Sequence, residues 1–232
     1  MLNTPRSRRG MVTSPHHLAS QAGLQILRDG GTAVEAAVAV AAALAVVYPH
    51  MTGIGGDGFW LIAEPGRDPV AIDACGGAGK AVSLDLYRRH GHATVPWRGP
   101  LAANTVAGTI DGWREALAVS AGWADPLPLA RILDEAIAHA EQGIPVTASQ
   151  EGLTRQKLHE LKDVPGFKDT FLPGGAVPLE GSTLRQPALA ATLRRLAAEG
   201  LDSFYRGPLA ASIAADLQRA GSPVDAADLA AH

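Results

Sequence analysis

One cysteine, Cys75, stands alone among 232 residues. That excludes an internal disulfide and any metal site built on a cysteine cluster. Positive charge is not in excess: 20 Lys and Arg face 23 Asp and Glu, for a net charge of −3. The basic footprint of a nucleic-acid binder is therefore missing. Arg6, Arg8 and Arg9 form the only basic cluster, and residues 1–9 read as a disordered or polar N-terminal tail. No apolar segment follows them in the manner of a secretory signal, so a cytoplasmic location is expected. No apolar run reaches the roughly 20 residues that span a bilayer, so no membrane association is expected. The eight histidines are scattered. His16 and His17 are adjacent, and on a helix their side chains would diverge. His50, His90 and His92 sit beside prolines or glycines. No ligand cluster at metal spacing emerges, and no metal is expected.

What is present is globular. Hydrophobic residues make up 47% and charged residues 19%, and the length suits one large domain or a share of a larger one. No internal repeat or obvious linker interrupts it.

The most informative stretch runs from Gly30 to Ile62. Thr32 is a good N-cap and Glu35 follows three places on, which makes a capping box. Residues 36–47 are apolar on every face, the pattern of a helix buried inside a protein. Pro49 ends it. Gly53, Gly55, Gly56 and Gly58 permit a tight turn without Cβ clashes. Phe59, Trp60, Leu61 and Ile62 then read as a buried strand. The glycine spacing matches neither the phosphate loop nor the dinucleotide fingerprint, and the glycines follow a helix rather than a strand. A helix-to-strand connection is the expected reading.

This stretch resembles the opening of the γ-glutamyltranspeptidase family of N-terminal-nucleophile hydrolases. The match comprises Gly30-Gly31, Ala33-Val34-Glu35-Ala36-Ala37-Val38-Ala39, and then Pro49 followed by Thr52-Gly53-Ile54-Gly55-Gly56 and Gly58-Phe59. Further matches follow along the chain: Thr105-Val106-Ala107-Gly108, Gly143-Ile144 with Val146, Leu184 with Gln186, Phe204-Tyr205 with Gly207, and Asp228-Leu229-Ala230-Ala231. The resemblance covers residues 10–232, read as a large-chain region that is incomplete without a small chain. It implies an α+β fold, the four-layer αββα sandwich, with this chain supplying many helices and part of the sheets.

Local patterns fill in the elements. Residues 11–14 are a short strand candidate, and Ser14-Pro15 starts a helix that carries Leu18, Ala22, Ile26 and Leu27 inward and stops at Gly30-Gly31. Pro65-Gly66-Arg67-Asp68 joins residues 59–63 to 70–73 in a hairpin. Residues 83–90 form a Ser-capped helix with Leu84, Leu86 and Tyr87 mostly inward. A helix over 109–121 follows, with Thr105 and Thr109 as turn or cap residues. Residues 129–142 make a clean amphipathic helix, and Thr147 or Ser149 caps a polar surface helix reaching residue 161. Residues 164–183 read as loop. Helices over 187–198 and 209–220 complete the set.

The chain departs from the family at Cys75. There the resemblance places an arginine that pairs with the α-carboxylate of a γ-glutamyl substrate, and a guanidinium fork suits that task. Cys75 stands at that position and Gly76 replaces the glutamate that follows. A thiol cannot supply the fork. Another arginine must substitute, with Arg67 and Arg98 as candidates, or the substrate must differ. Gly76 and Gly77 permit a close backbone approach or a reshaped pocket. Cys75 is either a small buried hydrophobe or a pocket-lining residue. Activation of its thiol as a nucleophile would need a neighbouring base that the sequence does not place. Cys75, Gly76 and Arg98 are the candidate substrate-binding residues.

The family's catalytic threonine heads the small chain after self-cleavage, with its own α-amine as base. No such signature occurs in this sequence, so no catalytic residue is expected here. The implied partner is the small chain of the same precursor. The implied chemistry is amide hydrolysis or acyl transfer on a small-molecule amide, with no cofactor. Oxamate fits the lost arginine better than a γ-glutamyl compound. A glutathione hydrolase or γ-glutamyl transferase with a relocated carboxylate clamp is the alternative, and a non-catalytic scaffold chain the third reading.

Overall fold

The computed structural model describes residues 4–232. The expected polar tail lies partly outside them, at residues 1–3, and residues 4–9 are exposed and belong to no helix or strand.

The fold is helix-rich α+β. Helix α1 spans His17–Arg28 and α2 spans Ala33–Val47. Strands β1 (Gly58–Ile62) and β2 (Val70–Ala74) follow, then α3 (Leu84–Arg89), α4 (Thr109–Ser120) and α5 (Leu129–Gln142). A second strand pair, β3 (Ile144–Pro145) and β4 (Thr183–Leu184), brackets α6 (Ala148–Leu161) and α7 (Phe167–Phe171). Helices α8 (Pro187–Glu199), α9 (Pro208–Ala220) and α10 (Ala226–Ala231) close the chain.

Helix α2 is the hub. Glu35 Oε2 accepts from the Thr32 backbone N–H at 2.6 Å and Thr32 Oγ1 accepts from that of Glu35 at 3.1 Å, so the capping box forms as expected. Its small residues leave no bulk between backbones. Helix α2 packs against α1 on one side and α5 on another, while α5 packs on α8. At its C-terminal end, where orphan carbonyls need donors, Thr52 Oγ1 donates to the Leu44 carbonyl at 2.7 Å and Gln186 Nε2 to that of Val46 at 2.8 Å. Helix α5 has the bounds its periodicity predicts, with Ile132, Leu133, Ala136, Ile137 and Ala140 inward.

Several expectations change. Residues 11–14 adopt no strand, and among the described residues no strand pairs with them. The cap of α1 is His16 rather than Ser14: its Nδ1 accepts from the Leu18 N–H at 3.3 Å, while the Ser14 hydroxyl donates to the His16 carbonyl. His16 therefore precedes the helix, and its ring stacks on that of His17, centroids 4.8 Å apart, instead of diverging. Leu84 faces solvent, and Tyr87 is the buried residue of α3. Helix α7 and the β3–β4 pair lie where loop or helix boundary was expected. Residue 167 seeds α7 by burying its ring and stacking on Phe171 at 5.3 Å.

Strand β1 is also not buried on both faces. It pairs antiparallel with β2 alone, Gly58 opposite Ala74 and Ile62 opposite Val70. Alternation places Trp60, Ile62, Ile72 and Ala74 toward α4. Phe59 and Leu61 point the other way and are 71% and 76% exposed.

Candidate functional site

The carboxyl end of β2, the glycine-rich connection and the start of α4 converge. A methyl group on Gly112 would lie 2.7 Å from the Ala74 Cβ, so glycine lets α4 sit directly on the hairpin. The Thr109 N–H and hydroxyl both donate to the Gly56 carbonyl, at 2.9 and 2.8 Å. The connection is thereby pinned to the first turn of α4, and Thr109 serves as a tether while Gly108 occupies the N-cap without a side-chain bond.

Beyond β2 the chain runs against the segment before α4. Val106 N–H donates to the Gly77 carbonyl at 2.9 Å and Gly79 N–H to that of Asn104 at 3.0 Å, with Ala78 bridging Thr105. A Cβ on Gly76 would stand 1.6 Å from the Val106 carbonyl oxygen. Of the two roles open to Gly76, the geometry shows the close backbone approach.

Cys75 is exposed rather than buried. Its backbone N–H donates to Asp73 Oδ1 at 3.0 Å. Local desolvation, the Asp73 side chain and the charges of Asp57 and Asp73 push its thiol pKa up. These effects disfavour the thiolate, the form a nucleophile needs. Asp57 and Asp73 were not singled out by sequence reading. The available signal was an acid inside the glycine run and another two residues before Cys75, and nothing in the sequence joins the two segments.

The glycine-rich connection differs from expectation. None of Gly53, Gly55 or Gly56 has a positive φ, and a Cβ on any of them would meet nothing within 4 Å. Neither turn geometry nor crowding inside this chain requires them. They line an open depression with Met51, Thr52 and Asp57.

Arg98 lies elsewhere. Its Nε donates to Glu160 Oε2 on α6 at 2.6 Å, and its guanidinium lies over the exposed Trp97 ring, 5.9 Å from the centroid. Lys157 and Arg98 together pull the Glu160 carboxyl down to about 2. Arg67 pairs with Glu64 at 3.1 Å in the hairpin turn. Among the described residues no hydrogen bond or ion pair joins either arginine to Cys75 or Asp73. The structure brings Cys75 and Gly76 together with Asp57, Asp73 and Val106, and leaves Arg98 paired with Glu160 of α6.

A helical layer on one face of a hairpin and bare apolar side chains on the other define half of a layered α+β sandwich. The chain belongs to the γ-glutamyltranspeptidase family: residues 19–232 match the family described as Gamma-glutamyltranspeptidase. It is 57% identical over 227 residues to the oxamate amidohydrolase proenzyme of Klebsiella pneumoniae, covering 97% of this chain and 43% of that protein. It is 43% identical over 223 residues to the glutathione hydrolase-like YwrD proenzyme of Bacillus subtilis, covering 96% and 41%. The Helicobacter pylori γ-glutamyltranspeptidase structure superimposes with a TM-score of 0.89 at 31% identity, covering 98% of this chain and 65% of that one. The fold is therefore that of the family, the αββα sandwich, to which this chain contributes helices and part of the sheets. The chain spans less than half the length of these two curated relatives. Among the described residues no helix is long and apolar enough to cross a membrane.

Proposed function

We propose that residues 10–232 act as the large-chain part of a self-processing amidohydrolase, cytoplasmic in location, with residues 1–9 as a polar tail. In this reading the nucleophile is a threonine at the head of the small chain. Its hydroxyl attacks the amide carbon, its α-amine takes the proton and passes it to the departing amine, and water then cleaves the acyl ester. This chain lends pocket walls. The bare face of Phe59 and Leu61 and the uncrowded Gly53, Gly55 and Gly56 are where the small chain would close the site, burying apolar surface now in water.

The substrate proposed is a small amide such as oxamate. The observation that carries this choice is the 57% identity to a protein named for that amide. Support comes from Cys75, which stands where the family resemblance places an arginine and is flanked by Asp57 and Asp73. What Cys75 supports is the loss of a clamp for an α-carboxylate; oxamate carries a carboxylate too, and since Asp57 and Asp73 repel an anion, in this reading that carboxylate is held by groups outside this chain. The rival reading, glutathione hydrolysis or γ-glutamyl transfer, draws on the likeness to the YwrD proenzyme.

Steady-state assay of the processed full-length protein on oxamate and on a γ-glutamyl anilide separates the two. We expect kcat/KM on oxamate to exceed that on the anilide by at least about a hundredfold, or roughly 2.7 kcal/mol of transition-state discrimination. A saturable, faster reaction on the anilide would overturn the substrate choice. No turnover on either, from a protein that never splits, would favour a non-catalytic scaffold.

A further inference from the structure

Four histidines from three parts of the fold lie around the start of α1, where His17, His139 and His50 each bear electrostatically on His16. His16 caps α1, and it is 6% exposed. The cap bond runs to Nδ1, which can accept from Leu18 only while that nitrogen carries no proton. The His17 ring stacks on it at 4.8 Å. His50, just past the end of α2, lies edge-on to Tyr48 at 4.5 Å, and its Nε2 meets Ser149 Oγ on α6 at 3.2 Å. His50 Nδ1 is buried without a partner among the described residues. Gln150, next along α6, is fully buried with both amide atoms unpartnered. His139, in the last turn of α5, is near enough to His16 and His17 to act on them electrostatically.

We propose that His16, His50 and His139, with the His17 ring stacked on His16, form an acid-sensitive junction, closed while those three imidazoles are neutral, whose protonation frees the start of α1 and the connection after α2. Protonation removes the acceptor that caps α1. It also sets like charges on His16 and the partly buried His50 and His139 against one another, where they are less screened than at the open surface. Desolvation is the main cause that lowers the pKa of His16, His50 and His139; neighbouring histidines add to it at His16 and His139. Glu135, one turn before His139, opposes the effect there, and among the described residues no other carboxylate is a cause at these three rings. Such groups bind fewer protons folded than unfolded. Native stability is therefore full above the unfolded value of 6.5 and falls as pH drops through it toward the folded values. Among the described residues no three of these side chains are placed to share a metal ion. The connection that would loosen continues into Gly53–Asp57, so acid would reach the candidate site through the backbone. The inference stands whichever amide the protein cleaves.

The test is hydrogen exchange, read by mass spectrometry, on the processed full-length protein at about pH 7.5 and about pH 5.5, corrected for intrinsic chemistry. Opening of residues 14–22 and 47–57 should increase about tenfold at the lower pH, the size of one proton-linked step, while α8 stays unchanged. His16→Asn combined with His139→Gln keeps a capping oxygen but cannot titrate at those two positions, and should flatten the response of residues 14–22, leaving that of 47–57 to His50. His159→Gln, at an exposed site outside the cluster, should leave it intact. Acid-independent protection in the wild type, an equal response of residues 14–22 in the double variant, or a response abolished by His159→Gln would overturn the proposal. If the double variant does not fold, the wild-type comparison of the two segments with α8 decides alone.

Discussion

Gly76 has no room for a methyl group. Its added Cβ would meet the backbone carbonyl of Val106, which cannot swing aside as a side chain can. Gly77, one residue on, faces open space at an ordinary φ. Gly76→Ala should therefore cost about 2–4 kcal/mol of stability, as strained or overpacked sites do. Gly77→Ala should stay within about 0.5 kcal/mol. Denaturant titration of the full-length protein checks both, and equal effects would show that the close approach is not the constraint. The need for something small at Gly76 was legible in the sequence. Its partner was not, because Val106 lies across a strand-like pairing that no local pattern announces. The same holds for Cys75. Its type was plain and its family position informative, yet its exposure and its acidic neighbours follow from how β2 meets the glycine-rich connection.

Helix α2 shows what a local signal can and cannot carry. The capping box was readable because Thr32 and Glu35 lie three residues apart. The second half of Glu35's work was invisible: Oε1 accepts from the Leu127 N–H at 2.7 Å, from a residue far along the chain. Glu35 thus ties the start of α2 to the entry of α5, and it is buried. Glu35→Ala leaves two backbone donors without that acceptor and should cost about 2–4 kcal/mol, against about 1 kcal/mol for loss of an exposed cap. Denaturation midpoints measure it, and a loss below about 1 kcal/mol would contradict the double role. Helix α5 was legible to the residue because its apolar stripe is unbroken. The β3–β4 pair was not, since two-residue strands lack any period and their register depends on Ile144 meeting Leu184. Strand β1 was recognised as a strand, but its sidedness depends on what covers it. Apolar residues on both faces announce burial on both faces, and within this chain only the α4 side is covered.

That uncovered side organises the molecule as a whole. Phe59 and Leu61 stand in water beside an open run of glycines, while the opposite face of the hairpin is sealed by α4. A hairpin so placed is half of a layered core, and the family match together with the short span over its relatives gives the other half a source. In the proposed reading, Cys75 at the position of the family's arginine bears on which substrate the completed pocket accepts. The central claim is that this chain supplies walls and a partner segment supplies the attacking hydroxyl. Intact mass and N-terminal sequencing of the purified product of the full reading frame test it most directly. The account predicts two chains held together without a disulfide to Cys75, the smaller beginning with threonine, and activity lost when that threonine becomes alanine. A single uncut chain that turns over amides, or a smaller chain with another first residue and full activity, would contradict it.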